Sequence, residues 1–318
     1  MFSINDISII IPTKDRPEKI KRLLSNLSSF NSNVNQVIVI SSGSDISKIT
    51  DLFINKLNLI HIKSLPGQIK QRNIGIKNLN EKTKLVATFD DDITLLKDSL
   101  NNILRFWNSA EKNTAGVGFN VVNYGNNKKN DYFFNKLIKN FFLRQDTPGK
   151  ILKSGINTPL HNLSKDCRVQ WLNGGATVWK KEILINYPNN QVETKWAVYE
   201  DVLYSYPLGK KYPLFVSCDS QIEVEDVPFE QNNITREYYI GKAITLWRFK
   251  LIQKNMELSI YSFTTTILIT IIYYFMIGII KFNLSYIIKS SGYLSGLLTL
   301  LFKIKFFKDI DDLIKNNL

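Results

Sequence analysis

The chain has 318 residues, 44% of them hydrophobic, so it can form one sizeable core and leave about seventy residues for an appendage. Lys and Arg number 41 against 28 Asp and Glu, and the net charge of +13 suits nucleic acid, anionic lipid or a phosphorylated ligand. The lysines are spread evenly rather than clustered with aromatic residues, which argues against a nucleic-acid-binding protein. Two cysteines are too few for a disulfide framework, so we expect a reducing compartment.

The first ninety residues alternate apolar runs with amphipathic stretches. The apolar runs predict four strands, at residues 7–11, 37–40, 59–62 and 85–89. Amphipathic periodicity predicts helices at residues 18–27 and 68–78. This order is typical of parallel βαβ units and predicts an open α/β sheet. Ligands of such sheets bind beyond the carboxyl ends of the strands, so the segments that follow the four strands are the candidate site.

The pattern is weaker after the fourth strand. We predict a helix at residues 99–109 and strands at residues 169–172, 177–179 and 214–218, whereas residues 116–155 give no clear assignment. A basic amphipathic segment, residues 133–144, is compatible with a helix at a membrane interface or with a flap packed on the domain.

The C-terminal part differs in kind. Residues 258–280 carry no charge, and about 20 apolar residues suffice to cross a bilayer as a helix. Residues 282–302 are interrupted by Lys289, so they could form a second span or an interfacial helix. Arg248, Lys250 and Lys254 before the first run, and lysines after the second, favour both ends on the cytoplasmic side. We therefore predict a catalytic part at residues 1–250 and a membrane segment at residues 251–318. A buried helix of a soluble domain is the alternative for the first run.

Three carboxylates follow the fourth predicted strand. Hard divalent cations prefer oxygen ligands, and Asp90 and Asp92, at the first and third positions, can point the same way to share one Mg²⁺ or Mn²⁺. Such an ion would stabilise the charge of a departing diphosphate. A solvated acidic loop is the alternative for an isolated cluster of this kind.

Further motifs stand around this cluster in a characteristic order. They are Pro12-Thr13-Lys14-Asp15-Arg16-Pro17, Gln71-Arg72-Asn73, Asn173-Gly174-Gly175-Ala176 and Tyr199-Glu200-Asp201-Val202. Together with the acidic loop, this arrangement resembles glycosyltransferase family 2 over about residues 5–250. The resemblance implies the GT-A fold, an α/β nucleotide-diphospho-sugar transferase fold, here followed by a C-terminal transmembrane helix or hairpin.

The resemblance also implies roles for residues. The donor nucleotide sugar would contact Pro12, Thr13, Asp15, Ser42, Arg72, Asn73, Asp90 and Asp91, with Asp90 and Asp92 holding Mn²⁺ or Mg²⁺. Gly174, Gly175 and Glu200 would border the sugar and the acceptor, a glycan or lipid-linked hydroxyl. Asp201 would be the general base, and one base with a single displacement predicts inversion at the anomeric carbon. The expected setting is cell-envelope polysaccharide synthesis at the cytoplasmic side of the inner membrane.

One position departs from the family pattern. The family carries an acidic residue after the second strand, where this chain has Ser41-Ser42. A hydroxyl bonds a base less strongly than a carboxylate does, and Asp45 could compensate, so the nucleotide stays open.

Alternatives remain for the motifs and for the function. Arg72 could be a solvent-exposed helix residue, and Glu200-Asp201 could cap a helix without a catalytic role. The acidic loop also fits the nucleophile loop of haloacid-dehalogenase-like phosphatases, although that loop usually opens the chain. A non-catalytic membrane-anchored relative is the other alternative.

Overall fold

The computed structural model describes residues 1–30, 34–123, 147–194, 198–225 and 234–318. The strands are β1 (Ile7–Lys14), β2 (Gln36–Ser42), β3 (Leu59–Lys63), β4 (Leu85–Phe89), β5 (Ile93–Leu95), β6 (Gly116–Val121), β7 (Cys167–Val169), β8 (Ala176–Lys180) and β9 (Leu214–Val224). The helices are α1 (Pro17–Ser29), α2 (Ser47–Asp51), α3 (Ile54–Leu57), α4 (Gln68–Lys77), α5 (Ser99–Ser109), α6 (Lys181–Asn186), α7 (Glu200–Lys211), α8 (Ile234–Lys254), α9 (Ile260–Ile280), α10 (Leu284–Lys303) and α11 (Ile310–Asn317).

These strands form one mixed sheet in the order β3-β2-β1-β4-β8-β6-β9-β5, with β7 paired to β9. β1 pairs in parallel with β2 and β4, whereas β8 runs antiparallel to β4 and β6. The four N-terminal strands and the three helices predicted up to residue 109 are confirmed. The strand predicted at residues 169–172 is wrong beyond Val169, because Trp171 and Leu172 are buried in the core rather than paired in the sheet.

Both faces of the sheet are covered, which explains the uninterrupted apolar sequence of its central strand. Ile9 and Ile11 of β1 share a core with α1 and α5, whereas Ile10 belongs to a second core with α7 and α8. Helix α4 lies close to β1: a Cβ on Gly75 would be 2.6 Å from the side chain of Ile10. This close approach fixes the start of α4 beside the end of β1.

Helices α9 and α10 form a hairpin, and each is long and apolar enough to cross a membrane. The hydropathy of their most apolar stretches averages 2.1 and 1.2, and only 28% and 39% of those stretches are buried. A mostly exposed helix argues against the buried soluble alternative for residues 258–280. The uncertain second run is a continuous helix despite Lys289.

The basic flank before the hairpin differs from the prediction. Arg248 and Lys250 of α8 are buried rather than exposed to the cytoplasm. Arg248 donates to Ser154 O at 2.8 Å and to Thr266 Oγ1 at 2.9 Å, and Lys250 forms an ion pair with Asp311. Lys250 is thus paired with a carboxylate inside the protein, whereas Arg248 has neutral acceptors and its Nε has no hydrogen-bond partner among the described residues. The amphipathic segment predicted at residues 133–144 lies outside the described residues.

Candidate active site

The middle carboxylate of the acidic loop binds the end of β1. Thr13 Oγ1 donates to Asp91 Oδ2 at 2.6 Å, and Arg16 Nη1 donates to Asp91 Oδ1 at 2.9 Å. Asp91 is only 4% exposed. Its oxygens are therefore occupied by protein donors, which fixes the loop between its outer neighbours, Asp90 and Asp92.

Asp90 and Asp92 lie where two depressions meet. Together with Asp201 and Gly175 they line an inner cavity of about 470 Å³. They also line a large cleft of about 1080 Å³, whose other walls include the turn after β1. Burial raises the pKa of Asp92, and the charges of Asp90 and Asp91 add to this effect. The junction of the two depressions is therefore a place where negative charge is concentrated.

A buried arginine connects the acidic loop to the start of α7. Arg72 Nη1 donates to Glu200 Oε1 at 2.6 Å, and Arg72 Nη2 donates to Asp90 Oδ1 at 2.8 Å. Burial by itself would lower the pKa of Arg72, but the charges of Glu200 and Asp90 outweigh it and raise this pKa. Gln68 Nε2 also donates to Asp90 Oδ1, at 2.8 Å. Arg72 is thus a charged, buried residue of the site and not a solvent-exposed one.

The two glycines before β8 make room for this network. A Cβ on Gly174 would lie 2.8 Å from Arg72 Nη1, and a Cβ on Gly175 would lie 2.0 Å from Asp90 Oδ2. Both glycines also line the inner cavity. Side chains at these positions would push Arg72 and Asp90 out of place, so the Gly-Gly sequence is a steric requirement of the site.

Glu200 and Asp201 begin α7 but have different surroundings. Glu200 is buried against Arg72 and accepts a hydrogen bond from Asn189 Nδ2 at 3.2 Å. Asp201 lines the inner cavity and accepts from the backbone N–H of Val202 at 2.8 Å. Burial raises the pKa of Asp201 to about 7, and the charge of Glu200 contributes to the increase. Asp201 therefore lies in the first turn of α7, after the N-cap residue Tyr199, and has the position of a proton acceptor facing a cavity.

The turn after β1 is organised by Asp15. Its Oδ1 accepts from the N–H of Ser44 at 2.8 Å, and this bond lowers the pKa of Asp15. Gly43 (φ +80°) is required there, since a Cβ would lie 2.0 Å from Asp15 Oδ1. Pro12 and Thr13 line the large cleft, whereas the Asp15 side chain holds the neighbouring loop.

The departure after β2 leaves hydroxyls at the sheet edge. Ser41 Oγ lies 2.7 Å from His61 Nε2, whereas Ser42 Oγ is buried and has no hydrogen-bond partner among the described residues. Asp45, which could compensate for the missing carboxylate, is exposed and forms an ion pair with Lys63 at 3.1 Å. Asn73 also lies away from the large cleft and donates to Asn189 O at 2.8 Å.

Several residues of the site had no role assigned to them from the sequence. Gln71 is buried and donates to Thr13 O and Ile40 O, at 3.0 and 2.9 Å, which joins α4 to the ends of β1 and β2. Arg236 of α8 and Lys315 of α11 line the large cleft from the opposite side. His161 and Trp171 line the inner cavity. Their positions depend on contacts between segments far apart in the chain, although the Gln-Arg-Asn sequence indicated α4 itself.

A mixed sheet with a carboxylate loop at the carboxyl end of its fourth strand, opening on a large cleft, is the arrangement expected of the GT-A fold. The family model for glycosyl transferase family 2 matches residues 8–168, just over half of the chain. The chain therefore belongs to glycosyl transferase family 2. The phosphatase alternative is wrong, because the acidic loop follows three earlier parallel strands of this fold.

Solved structures are similar to this chain at low sequence identity. The mannosyltransferase PcManGT from Pyrobaculum calidifontis, solved with GDP-Man and Mn²⁺, is 11% identical with a TM-score of 0.54, over 93% of this chain and 87% of that chain. Residues 1–349 of S. aureus TarS are 14% identical with a TM-score of 0.49, over 92% of this chain and 91% of that chain. A longer structure of S. aureus TarS is 16% identical with a TM-score of 0.48, over 76% of this chain. The match spans 39% of that longer chain. No curated protein sequence matches the chain.

Proposed function

We propose that this glycosyltransferase moves a sugar from a nucleotide-diphosphate donor to a hydroxyl of a glycan or lipid-linked acceptor, with inversion of the anomeric carbon. The observation that carries the proposal is the meeting of Asp90, Asp92 and Asp201 on one cavity that opens into the large cleft. A leaving group and a proton acceptor are required on opposite sides of the reacting carbon, and this arrangement offers a place for each.

The large cleft suits a nucleoside diphosphate. The turn with Pro12 and Thr13 would border the nucleoside, and Arg16, Arg236 and Lys315 line the same cleft. Cations of this kind complement phosphate oxygens. The GDP-Man in PcManGT supports a nucleotide-sugar donor for a fold of this kind.

Asp90 and Asp92 fit a divalent cation, Mn²⁺ or Mg²⁺. Arg72 and Gln68 occupy only Oδ1 of Asp90, so its second oxygen would be one protein ligand. The Asp92 carboxylate, whose Oδ2 lies 3.5 Å from Arg16 Nη1 and 3.6 Å from Lys19 Nζ, would be the other. Within the described residues, no group of three His, Cys, Asp or Glu side chains could hold a metal by itself. Mg²⁺ typically takes one or two carboxylates and completes its shell with phosphate oxygens and water, which matches this pair. When bound, the cation would stabilise the negative charge of the departing diphosphate.

Asp201 is the proposed general base. Its raised pKa of about 7 places the carboxylate close to the working pH, where a base accepts a proton most effectively. Arg72 neutralises Glu200, which leaves Asp201 as the neighbouring carboxylate that can accept the proton of an acceptor hydroxyl. The hydroxyl oxygen then attacks the anomeric carbon as the bond to the diphosphate breaks, and a single displacement inverts that carbon.

The setting we propose is the cytoplasmic side of the inner membrane, in cell-envelope polysaccharide synthesis. The α9–α10 hairpin supports attachment to a membrane, with residues 1–250 as the catalytic part and residues 251–318 as the membrane segment. Confinement at a membrane raises the local concentration of a lipid-linked acceptor near the site.

Turnover of a panel of nucleotide sugars tests the reaction. Detergent-purified protein is assayed for nucleotide release with Mn²⁺ and with chelator, beside Asp92→Asn, Asp201→Asn and the exposed-acid control Asp219→Asn. Loss of a general base should lower turnover about 10²–10⁴-fold, whereas the control should keep it. Release that is unaffected by chelator and by Asp201→Asn would contradict the mechanism, and a product with retained anomeric configuration would contradict inversion.

A further inference from the structure

The hairpin has a continuous apolar face on its outer side. Exposed residues recur at intervals of three, four or seven positions, at Leu268, Ile272 and Ile279 of α9 and at Leu294, Leu298 and Leu301 of α10. This spacing places them on one side of each helix. We call these six residues the apolar face. Contiguous exposed apolar surface of this kind marks an interaction site rather than ordinary protein surface.

The opposite side of the hairpin packs tightly on α8. A Cβ on Gly292 would lie 2.2 Å from Tyr238 O, and a Cβ on Gly241 would lie 2.8 Å from Tyr293 N. Further along, a Cβ on Gly296 would lie 2.7 Å from Thr245 Cβ. Contacts therefore advance along both helices together, so α8 and α10 run side by side in the same direction. The small residues allow their backbones to touch.

An ion pair fixes the position of the hairpin tip along the axis of α8. Lys289 Nζ lies 3.1 Å from Glu237 Oε2, and the side chains are only 17% and 6% exposed. Lys289 is five residues after Leu284, where α10 begins, so the tip extends only about 7.5 Å beyond this pair at 1.5 Å per residue. Arg236 and Ile240, next to Glu237 in α8, line the large cleft. The hairpin tip and the cleft are therefore at nearly the same level along the helix axis.

This geometry conflicts with a hairpin that crosses a bilayer. The hydrocarbon core is about 30 Å thick, and a charged group at its centre is costly. If the tip reached the far side, the neighbouring turn of α8, with Arg236 and Glu237, would lie deep in hydrocarbon. The cleft that Arg236 lines would lie there too, beside Asp90–Asp92. A nucleotide diphosphate could not enter a cleft in that position.

We propose that the hairpin lies flat in one leaflet of an anionic bilayer and does not cross it. The apolar face enters the acyl region, and the domain and α8 stay on the aqueous side. Exposed lysines at the two ends of the hairpin, Lys281 at the tip and Lys303, Lys305 and Lys308 after α10, match the negative headgroups. This inference rests on the proposed membrane attachment and is independent of the proposed reaction.

Protease accessibility tests the orientation in the full-length protein. A short polar protease site is inserted between Lys281 and Phe282 at the tip, and a matched control site is inserted between Glu81 and Lys82 in an exposed turn of the catalytic part. Sealed membrane vesicles are prepared in the orientation that exposes the control site. A flat hairpin predicts that both sites are cut before detergent is added. Cutting of the tip site only after detergent would show that the hairpin crosses and would overturn the proposal.

Flotation and turnover separate the remaining possibilities. The unmodified protein should float with vesicles that contain phosphatidylglycerol and about tenfold less with phosphatidylcholine alone, because the lysines meet negative headgroups only in the first. Equal flotation with the two kinds of vesicle would overturn the proposed preference for anionic lipid. Nucleotide-sugar turnover is measured on the unmodified protein. Absence of this turnover, together with cutting of both sites in the insertion proteins, would contradict the reaction and leave the flat hairpin supported.

Discussion

Replacing Arg72 with Met should destabilise the protein and also disorganise the site. The change leaves Glu200 buried without its cation, since the Glu200 side chain is only 9% exposed, whereas Asp90, at 37%, retains water and Gln68. Removing one partner of a buried ion pair costs about 3–5 kcal/mol, because the other charge stays buried. For a domain at the upper end of the usual size range, roughly 2 °C per kcal/mol predicts a melting temperature lower by about 6–10 °C.

A double-mutant cycle tests this reasoning. Thermal unfolding in detergent is followed for Arg72→Met, Glu200→Gln and the double variant, with the exposed Arg105→Met as control. The double variant should be more stable than Arg72→Met alone, because no buried charge then lacks a partner. Nucleotide release should be strongly reduced in all three variants. A melting temperature of Arg72→Met within about 2 °C of the wild type, or strictly additive effects, would refute the buried-pair reasoning.

Four further outcomes follow from single features. Turnover should rise as pH increases through about 7 and then level off, because burial raises the pKa of Asp201 from 3.8 to about 7 and only the ionised form accepts a proton. The raised pKa also means that the folded state is stabilised when Asp201 is protonated. This contribution to stability is complete below pH 3.8 and is lost as pH rises through about 7. Asp201→Asn should remove this pH dependence of the melting temperature in thermal unfolding. Gly175→Ala should reduce turnover at least tenfold, or about 1.4 kcal/mol, by displacing Asp90, and an unchanged rate would contradict the steric requirement. Leu268→Lys on the apolar face should weaken vesicle flotation, whereas Ile60→Lys, an equally exposed apolar position on β3, should not.

Local sequence determined much of the α/β framework. The period of apolar residues in β1 to β4 and in α5 reflects burial of one face or of both, so each element could be predicted from its own residues. The order of the motifs likewise indicated the acidic loop, the arginine helix and the start of α7. Strand ends were less accurate: β7 ends at Val169, because the following residues turn into the core instead of continuing the ladder.

Tertiary structure decided how those pieces act together. Arg72 and Glu200 are 128 residues apart, and neither segment has a pattern that records their ion pair. The return of α11 to the large cleft, which brings Lys315 there, depends on the ion pair of Lys250 with Asp311. The proposed orientation of the hairpin likewise depends on long-range contacts. The hydropathy of residues 258–302 indicates two helices that favour an apolar environment. The same hydropathy is compatible with a hairpin that crosses the bilayer and with one that lies flat in it. Only the packing of Gly292 on α8 and the pairing of Lys289 with Glu237 distinguish the two, because long-range contacts arise from the folded arrangement and leave no periodic trace in the chain.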